Sequence, residues 1–521
     1  MRPHVLTMLL GGALGLALCA PAAAQEPPTE SADAAELRAL RERLEALERR
    51  LEGAGEPAPT PAPSPADGEG AKPEDAGEGE PAPAEAAADE GAGEGLVLEL
   101  PLSVKLKITG HLRLRGEWRD PRDYRAPGTF GRPAGENADS DENFVFQRAW
   151  ISFDFRVRKH VRAVVAVMDA RLWGDQPIGG DASETFLREG YVALDELFDQ
   201  PLEIKAGRML VPALGDGRLI HSLDPWANVP RLWDGVQVTY EPEGWFLTGF
   251  GTNLREAQVQ TPRGTTNDDF WLVGAYVSNR MVDKHELDAY FVWRHLADDL
   301  FRSEARFGNG NVARAGDRKD FTAGLRLRGE VGPAGYTGEV AFQWGDQAGD
   351  RVQAWAGAVK SWVKVPLGDQ SLRFGGEYAY ASGDEDPADG RNQTFDPIFP
   401  FAHFYHGHMD LVLWRNLHAL SAQAAFQATD ELSLHADGHV FWLDRRKDAW
   451  YQPGATVRRD PTGRADRHLG QELDLYVQVK LWEKRVFVWA GYSHFWTGEV
   501  VRQTGKSEGM DWWFAHVEFN F

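Results

Sequence analysis

Residues 104 to 118 read VKLKITGHLRLRGEW. Val104, Leu106, Ile108, Leu112, Leu114 and Trp118 hold even positions, while Lys105, Lys107, Thr109, His111, Arg113, Arg115 and Glu117 hold odd ones. Side chains on a strand point alternately to its two faces, so the stretch predicts a strand that is apolar on one side and mostly cationic on the other. The alternation returns in AWISFDFRVR (149 to 158), FTAGLRLRGE (321 to 330), SLRFGGEYAY (371 to 380), ELDLYVQVK (472 to 480) and RVFVWAGYSHFW (485 to 496).

The connectors between such stretches are of two kinds. Tight ones fall at 158 to 160, 242 to 244, 366 to 369 and 482 to 484. Long ones, rich in Asp, Gly, Arg and Pro, fall at 120 to 142, 297 to 319, 383 to 407 and 444 to 469. Tight and long connectors take turns along the chain, as expected of a transmembrane β-barrel with short periplasmic turns and large external loops. Counting segments predicts an all-β, outer-membrane barrel of about 18 antiparallel strands with both ends on the periplasmic side. A soluble sandwich or propeller has no reason to segregate its loops by length.

Composition agrees with this reading. The chain has 521 residues, 42% hydrophobic, and its mean hydropathy is −0.44, so no bundle of apolar helices is concealed in it. Beyond the N-terminus no run reaches the ~18 apolar residues of a helical span, whereas a barrel strand needs only about 9 to 11 alternating ones. The 19 Trp, 27 Phe and 12 Tyr are a heavy aromatic load, suited to the zone where lipid meets water.

Residues 1 to 24 read as a secretory signal, with Arg2, an apolar run from Val5 to Ala20 and a small-residue cleavage site after Ala24. The lone cysteine, Cys19, lies inside it; the alternative of a lipidated Cys19 is disfavoured by the bulky Leu18 before it. A mature chain without cysteine has no disulfide and must rely on backbone pairing. Residues 25 to 52 carry Leu37, Leu40, Leu44, Leu47 and Leu51 at three-four spacing, a short coiled-coil stripe that could join sister chains or a periplasmic partner, or simply form a solvated helix. Residues 53 to 99, rich in Pro, Ala, Gly and Glu, read as a disordered periplasmic linker, and residues 100 to 521 as the barrel. Of the net charge of −23, −13 falls on residues 1 to 99, so the barrel is much less acidic than the whole chain, and no nucleic-acid partner is expected.

If apolar faces meet outer-membrane lipid, polar faces meet a lumen. There the reading places Lys105, Lys107, His111, Arg113 and Arg115 on the first strand, Arg148, Arg156 and Arg158 with Asp154 on the next, and Arg326, Arg328 and Arg373 later. A guanidinium is always charged and its planar fork matches carboxylate and phosphate, so rows of Arg can form a path for anionic solutes. The competing structural reading has many of these arginines bound to Glu117, Asp154, Glu330 and Glu377 within the wall.

The stretch LEIKAGRMLVPALGDGRLIHSLDPWANVPRLWDGVQVTY (202 to 240) resembles the signature of the alginate export family of outer-membrane barrels. The matching residues are Gly207, Arg208, Gly215, Asp216, Arg218, Leu219, Ile220, Trp226, Asn228, Arg231, Asp234 and Gly235; Met209 stands where many relatives have Gln. A second match is ASGDEDPADGRNQTFDPIFPFAHFYHGHMDLVLWRNL (381 to 417). The resemblance spans about 104 to 521 and implies passage of an anionic saccharide, such as an alginate-like polyuronate. It adds Arg208, Arg218, Arg231 and Asp234 to the expected lumen residues. The ending DWWFAHVEFNF, with Phe521 last, resembles the signal read by the barrel-assembly machinery.

No G-x-S-x-G, H-E-x-x-H or P-loop occurs, so no enzyme, cofactor or catalytic residue is expected. His403, His406 and His408 with Asp410 could approach metal-ligand spacing, but the aromatic loop around them favours packing or solute stacking, and no metal is expected. The rival functions are a general or phosphate-type anion porin, an outer-membrane glycan hydrolase or adhesin, and a link between outer membrane and cell wall. Residues alone leave open the solute, the direction of transport, the oligomeric state and whether loops plug the pore.

Overall fold

The computed structural model of the chain describes residues 95–120, 124, 142–174, 184–211, 213–220, 226–255, 266–302, 315–453 and 455–521. The signal sequence, the leucine stripe and almost all of the linker therefore lie outside the described residues.

Eighteen antiparallel strands form one closed wall, from Val104–Arg119 to Met510–Asn520. Each pairs with its neighbour along the chain. The last returns to the first through His111↔Asn520 to Arg119↔Trp512. Closure leaves no sheet edge in the apolar zone, where an unpaired peptide group would cost several kcal/mol. The expected strands coincide with observed ones, overrunning them only by Arg158 and Arg485, but the connector expected at 297 to 319 is shorter: the strands His285–Arg302 and Ala315–Val331 run well into it.

Both ends of the wall lie at the rim with the tight turns, among them 158–160, 241–244, 332–333, 368–369 and 482–485. At the other rim the connectors are long, with the exception of the two-residue turn Ala348-Gly349 between Ala334–Gln347 and Asp350–Leu367.

Alternation sorts the faces as the opening stretch required. Leu112, Leu114 and Trp118 are exposed on the outer surface, while His111, Arg113, Arg115 and Glu117 are buried on the inner one. Further round the wall Val165, Val167, Val236, Val238, Leu325, Leu327, Val359 and Val363 extend the outer apolar band. Exposed Trp118, Trp173, Trp344, Trp496 and Trp513 stand near the strand ends on the long-loop side, where indole rings suit a lipid boundary.

A short strand, Leu96–Leu100, fills a gap in the seam. The last strand stops at Asn520, opposite His111, so the start of the first strand has no partner there. Leu96–Leu100 takes its place, with Leu96↔Ile108, Leu98↔Leu106 and Leu100↔Val104 on one face and Glu99↔Lys105 on the other. Between the two pieces, Phe521 exchanges both backbone hydrogen bonds with Gly110, its carbonyl accepting at 2.9 Å and its amide donating at 3.0 Å. The Phe521 ring lies over Gly110, where a Cβ would stand 2.1 Å from it and push the ring aside.

Candidate functional site

The interior is occupied by two segments of the long connectors 210–232 and 382–416. Phe399 N–H donates to the Leu219 carbonyl at 2.9 Å and Phe401 N–H to Gly217 at 3.2 Å, so the two segments are tied together. Room for them comes from small residues on the inner wall: Ala354, Ala356, Ala358, Ala379, Ala381 and Ala419 pack with Leu219, Ile220, Phe395, Phe401 and Trp414 in one buried cluster.

On one side of the barrel the first strand and its neighbours grip residues 226–228. Arg113 and Arg148 each donate to the Ala227 carbonyl at 3.0 Å. Arg115 donates to the Trp226 carbonyl and lies with its guanidinium 3.9 Å from the Trp226 ring centroid, a cation–π arrangement. Arg115 also pairs with Glu117 at 2.9 Å. The Trp226 ring stacks on His403, with centroids 4.1 Å apart and planes 12° from parallel.

Across the interior a second set of charges grips residues 215–218. Arg218 makes a bidentate pair with Glu377 at 2.8 and 2.7 Å, and its guanidinium sits 3.6 Å from the Tyr405 ring centroid. Tyr405 in turn donates its hydroxyl to the Asp216 carbonyl at 2.6 Å. The Asp216 carboxylate accepts from Arg326 and from the Thr337 hydroxyl, each at 2.7 Å, and Arg326 further contacts Glu286 and Asp288. Gly215, at φ +60°, approaches the wall so closely that a Cβ would lie 2.7 Å from Glu339 Oε1. A left-handed backbone pressed onto a carboxylate admits only glycine.

The second segment is held the same way. Asp396 pairs with Arg294 and Arg318 of the wall, each at 3.0 Å, and with Arg415 at 2.9 Å. Burial alone would raise the Asp396 pKa, but Arg318, Arg415 and Arg294 hold it well below the usual carboxylate range. Asp216 is shifted the same way: burial opposes ionisation, and Arg326 and Arg218 outweigh it. Both stay ionised at neutral pH and keep their segments fastened.

The histidines pack within this plug. His403 Nδ1 lies 3.1 Å from Asp410, and His408 Nδ1 lies 3.5 Å from Asp474. His406 is buried without a hydrogen-bond partner for either ring nitrogen; burial, then the charges of Arg218 and His439, push its pKa well below the ordinary value. Among the described residues no group of three or more His, Cys, Asp or Glu side chains is placed to hold a metal ion.

The expected lumen residues thus separate into three sets, with Arg231 apart. Arg113, Arg115, Arg148, Arg218 and Arg326 fasten the inward segments. Lys105, Lys107, Arg156, Arg328 and Arg373 occupy the inner wall near the short-turn rim, with Lys105 and Arg156 exposed and directly opposite each other. Arg208 and Asp234 are a correction. Register puts them in line with Val236 and Val238 on the outer face, beside the buried inward Met209 and Trp233, and they form a bidentate pair with each other at 2.7 Å. Arg231 is exposed just before the strand Trp233–Tyr240, 5.2 Å from the Phe399 ring centroid.

Glu339, Asp396, Tyr405 and Trp414 were not singled out from sequence. The alanines at polar-side positions of 354 to 358 were the available signal that something packs against the inner wall there.

A family model described as Alginate export matches residues 105–514. No curated protein matches the chain in sequence. Among solved structures, OccAB1 of Acinetobacter baumannii is 11% identical, with a TM-score of 0.51 over 83% of this chain and 99% of that one. OccD3 (OpdP) of Pseudomonas aeruginosa is 12% identical, with a TM-score of 0.51 over 83% and 94%. At such identity the likeness speaks for the barrel fold alone.

Proposed function

The chain belongs to the alginate export family of outer-membrane barrels, and from that premise we propose that it conducts an anionic saccharide, an alginate-like polyuronate in particular. The observation that carries the reading is the inner wall at the short-turn rim. Lys105, Lys107, Arg156, Arg328, Lys364 and Arg373 stand there on several strands, with Glu99 opposite Lys105 and Asp154 opposite Lys107.

Short turns face the periplasm in barrels of this kind, so in this reading these cations are among the first groups that a polymer arriving from the periplasm meets. The strand Leu96–Leu100 joins at the same rim. Exposed cations in water hold each carboxylate weakly, which suits a conduit that must release what it attracts. In this reading Arg113, Arg115, Arg148, Arg218 and Arg326 serve the path indirectly, by setting where the inward segments stand.

Planar-bilayer recording tests the proposal. At low salt the channel should prefer anions and be blocked from the short-turn side by micromolar to millimolar uronate oligosaccharide, with block weakening as ionic strength rises. Absence of both anion preference and block would leave a general porin as the better reading.

A further inference from the structure

Where the last two strands, Val486–Thr497 and Met510–Asn520, reach the long-loop rim, their connector leaves a hollow of about 430 Å³. That lies within the roughly 300–1,000 Å³ usual for small-molecule sites. His494 and Trp496 line it, and they alternate with Ser493, Phe495 and Thr497, which are buried. The hollow therefore opens on the outer, membrane-facing surface, and the wall itself separates it from the lumen.

Its walls are fixed before any ligand arrives. The return of the connector is tied down through three main-chain carbonyls: Lys506 accepts from Arg458 at 2.8 Å, Ser507 from the Thr497 hydroxyl at 2.5 Å and Glu508 from the Tyr124 hydroxyl at 2.7 Å. The outgoing part, the helix Glu499–Thr504, is held by Val500 and Val501, both buried in the large hydrophobic cluster. Gly509 supplies the opening, since a Cβ there would stand 3.2 Å from His494 Nε2. His494 Nδ1 lies 2.6 Å from Asp511, which leaves the Nε2 lone pair turned toward that space. Trp496 is half-exposed beside it, with ring centroids 4.4 Å apart. Arg502, positioned by Glu499 at 3.0 Å and by the Thr497 carbonyl at 2.5 Å, lines the hollow together with Glu508.

We infer that this hollow binds one pyranose unit of a glycolipid in the surrounding outer leaflet. A sugar ring offers an apolar C–H face and a rim of hydroxyls that both donate and accept. Trp496 supplies the flat apolar surface, His494 Nε2 and Glu508 accept, and the Arg502 guanidinium donates. A bare phosphate would meet the Glu508 carboxylate, and an acyl chain would leave His494 and Arg502 against hydrocarbon. Placement selects the source. The long-loop rim stands at the headgroup level of the outer leaflet, which in such membranes carries sugar, whereas a saccharide in the lumen is on the wrong side of the strands. The inference is independent of what the lumen conducts.

The test uses the full-length protein in detergent, titrated with three probes and read by native mass spectrometry: lipopolysaccharide truncated to its inner core sugars, phosphatidylglycerol, and a uronate oligosaccharide. Wild-type protein should retain the truncated lipopolysaccharide and release the other two. Trp496→Ala should weaken that retention about tenfold, the order expected for losing one aromatic contact. His494→Phe keeps a ring and removes the accepting nitrogen; it should weaken retention several-fold, and it supplies the test independently if Trp496→Ala does not assemble. Trp344→Ala, at another exposed indole near the long-loop rim that does not line this hollow, should bind as wild type does. Retention unchanged in both Trp496→Ala and His494→Phe overturns the site. Equal retention of phosphatidylglycerol, or an equal loss in Trp344→Ala, also overturns it and leaves Trp496 a plain lipid-boundary residue. Displacement of the lipopolysaccharide by the uronate oligosaccharide overturns the membrane source and gives the hollow to a soluble saccharide instead.

Discussion

Arg218 and Glu377 show what an interior cation does when a loop reaches it. Two parallel hydrogen bonds and a tyrosine face consume the guanidinium, and both side chains are almost fully buried. Removing one partner of such a pair strands the other charge, at about 3–5 kcal/mol. Glu377→Gln should therefore loosen residues 213–220 without opening the wall, because the backbone ladder through Glu377↔Ser421 and Lys360↔Glu377 is untouched. Single-channel recording should show larger, noisier conductance, while the melting of strand structure by circular dichroism changes little. An unchanged conductance would mean that the segment is held mainly by its other anchors, Asp216 with Arg326 and Trp226 with Arg115. The residue scale also limits what sequence could say. Arg113 and Arg115 are legible as inward-facing from alternation alone, but their hydrogen-bond acceptors are main-chain carbonyls more than 110 positions away.

Among the elements, the seam strand Leu96–Leu100 has the clearest consequence. It covers five residues of the first strand that the last strand is too short to reach, and continues the outer apolar band with Leu96, Leu98 and Leu100. Its removal would leave the seam-facing peptide groups of Val104 to Ile108 unpaired, their other side still paired with Glu142–Val157, a cost that grows with depth in lipid. A chain lacking residues 96–100 should still form the other pairings but unfold at lower temperature, read as the temperature at which the folded band on an unheated gel gives way to the unfolded one. No shift in that temperature would show that the rim lies in water, where exposed peptide groups are satisfied. Strand existence and inward parity were legible across the wall. The boundaries near 297 to 319 were not, because pairing carried strands into sequence too polar to announce them. Arg208 and Asp234 were misplaced for a related reason: a motif shared with a family does not tell which face of the strand it occupies.

At the scale of the whole molecule, interior arginines are engaged at two levels. Arg113, Arg115 and Arg148 donate to main-chain carbonyls of the inward segments, Arg326 pairs with Asp216, and Arg218 pairs with the wall carboxylate Glu377, while Lys105, Lys107 and Arg156 lie nearer the short-turn rim. Reversing Lys105, Lys107 and Arg156 together to Glu should abolish or invert anion selectivity at low salt, an effect that fades as the Debye length shrinks from about 30 Å at 0.01 M to about 3 Å at 1 M. Arg113→Glu with Arg115→Glu should behave differently, releasing residues 226–228 and raising conductance at every salt concentration. If the second pair instead shifts selectivity with no change in conductance, the solute path runs along the first strand's upper half and the plug is not fastened there.

The sequence by itself determined the barrel, its approximate strand number and the sidedness of its loops. Alternation and connector length are local properties, and a closed ladder is the one β-architecture that satisfies them in lipid. Only the tertiary structure decided which cations the inward segments engage. An inward-facing arginine looks the same in sequence whether its partner is a carboxylate or a loop carbonyl, and the difference arises when residues 213–220, 226–228 and 382–416 fold back into the interior through contacts that sequence spacing does not encode.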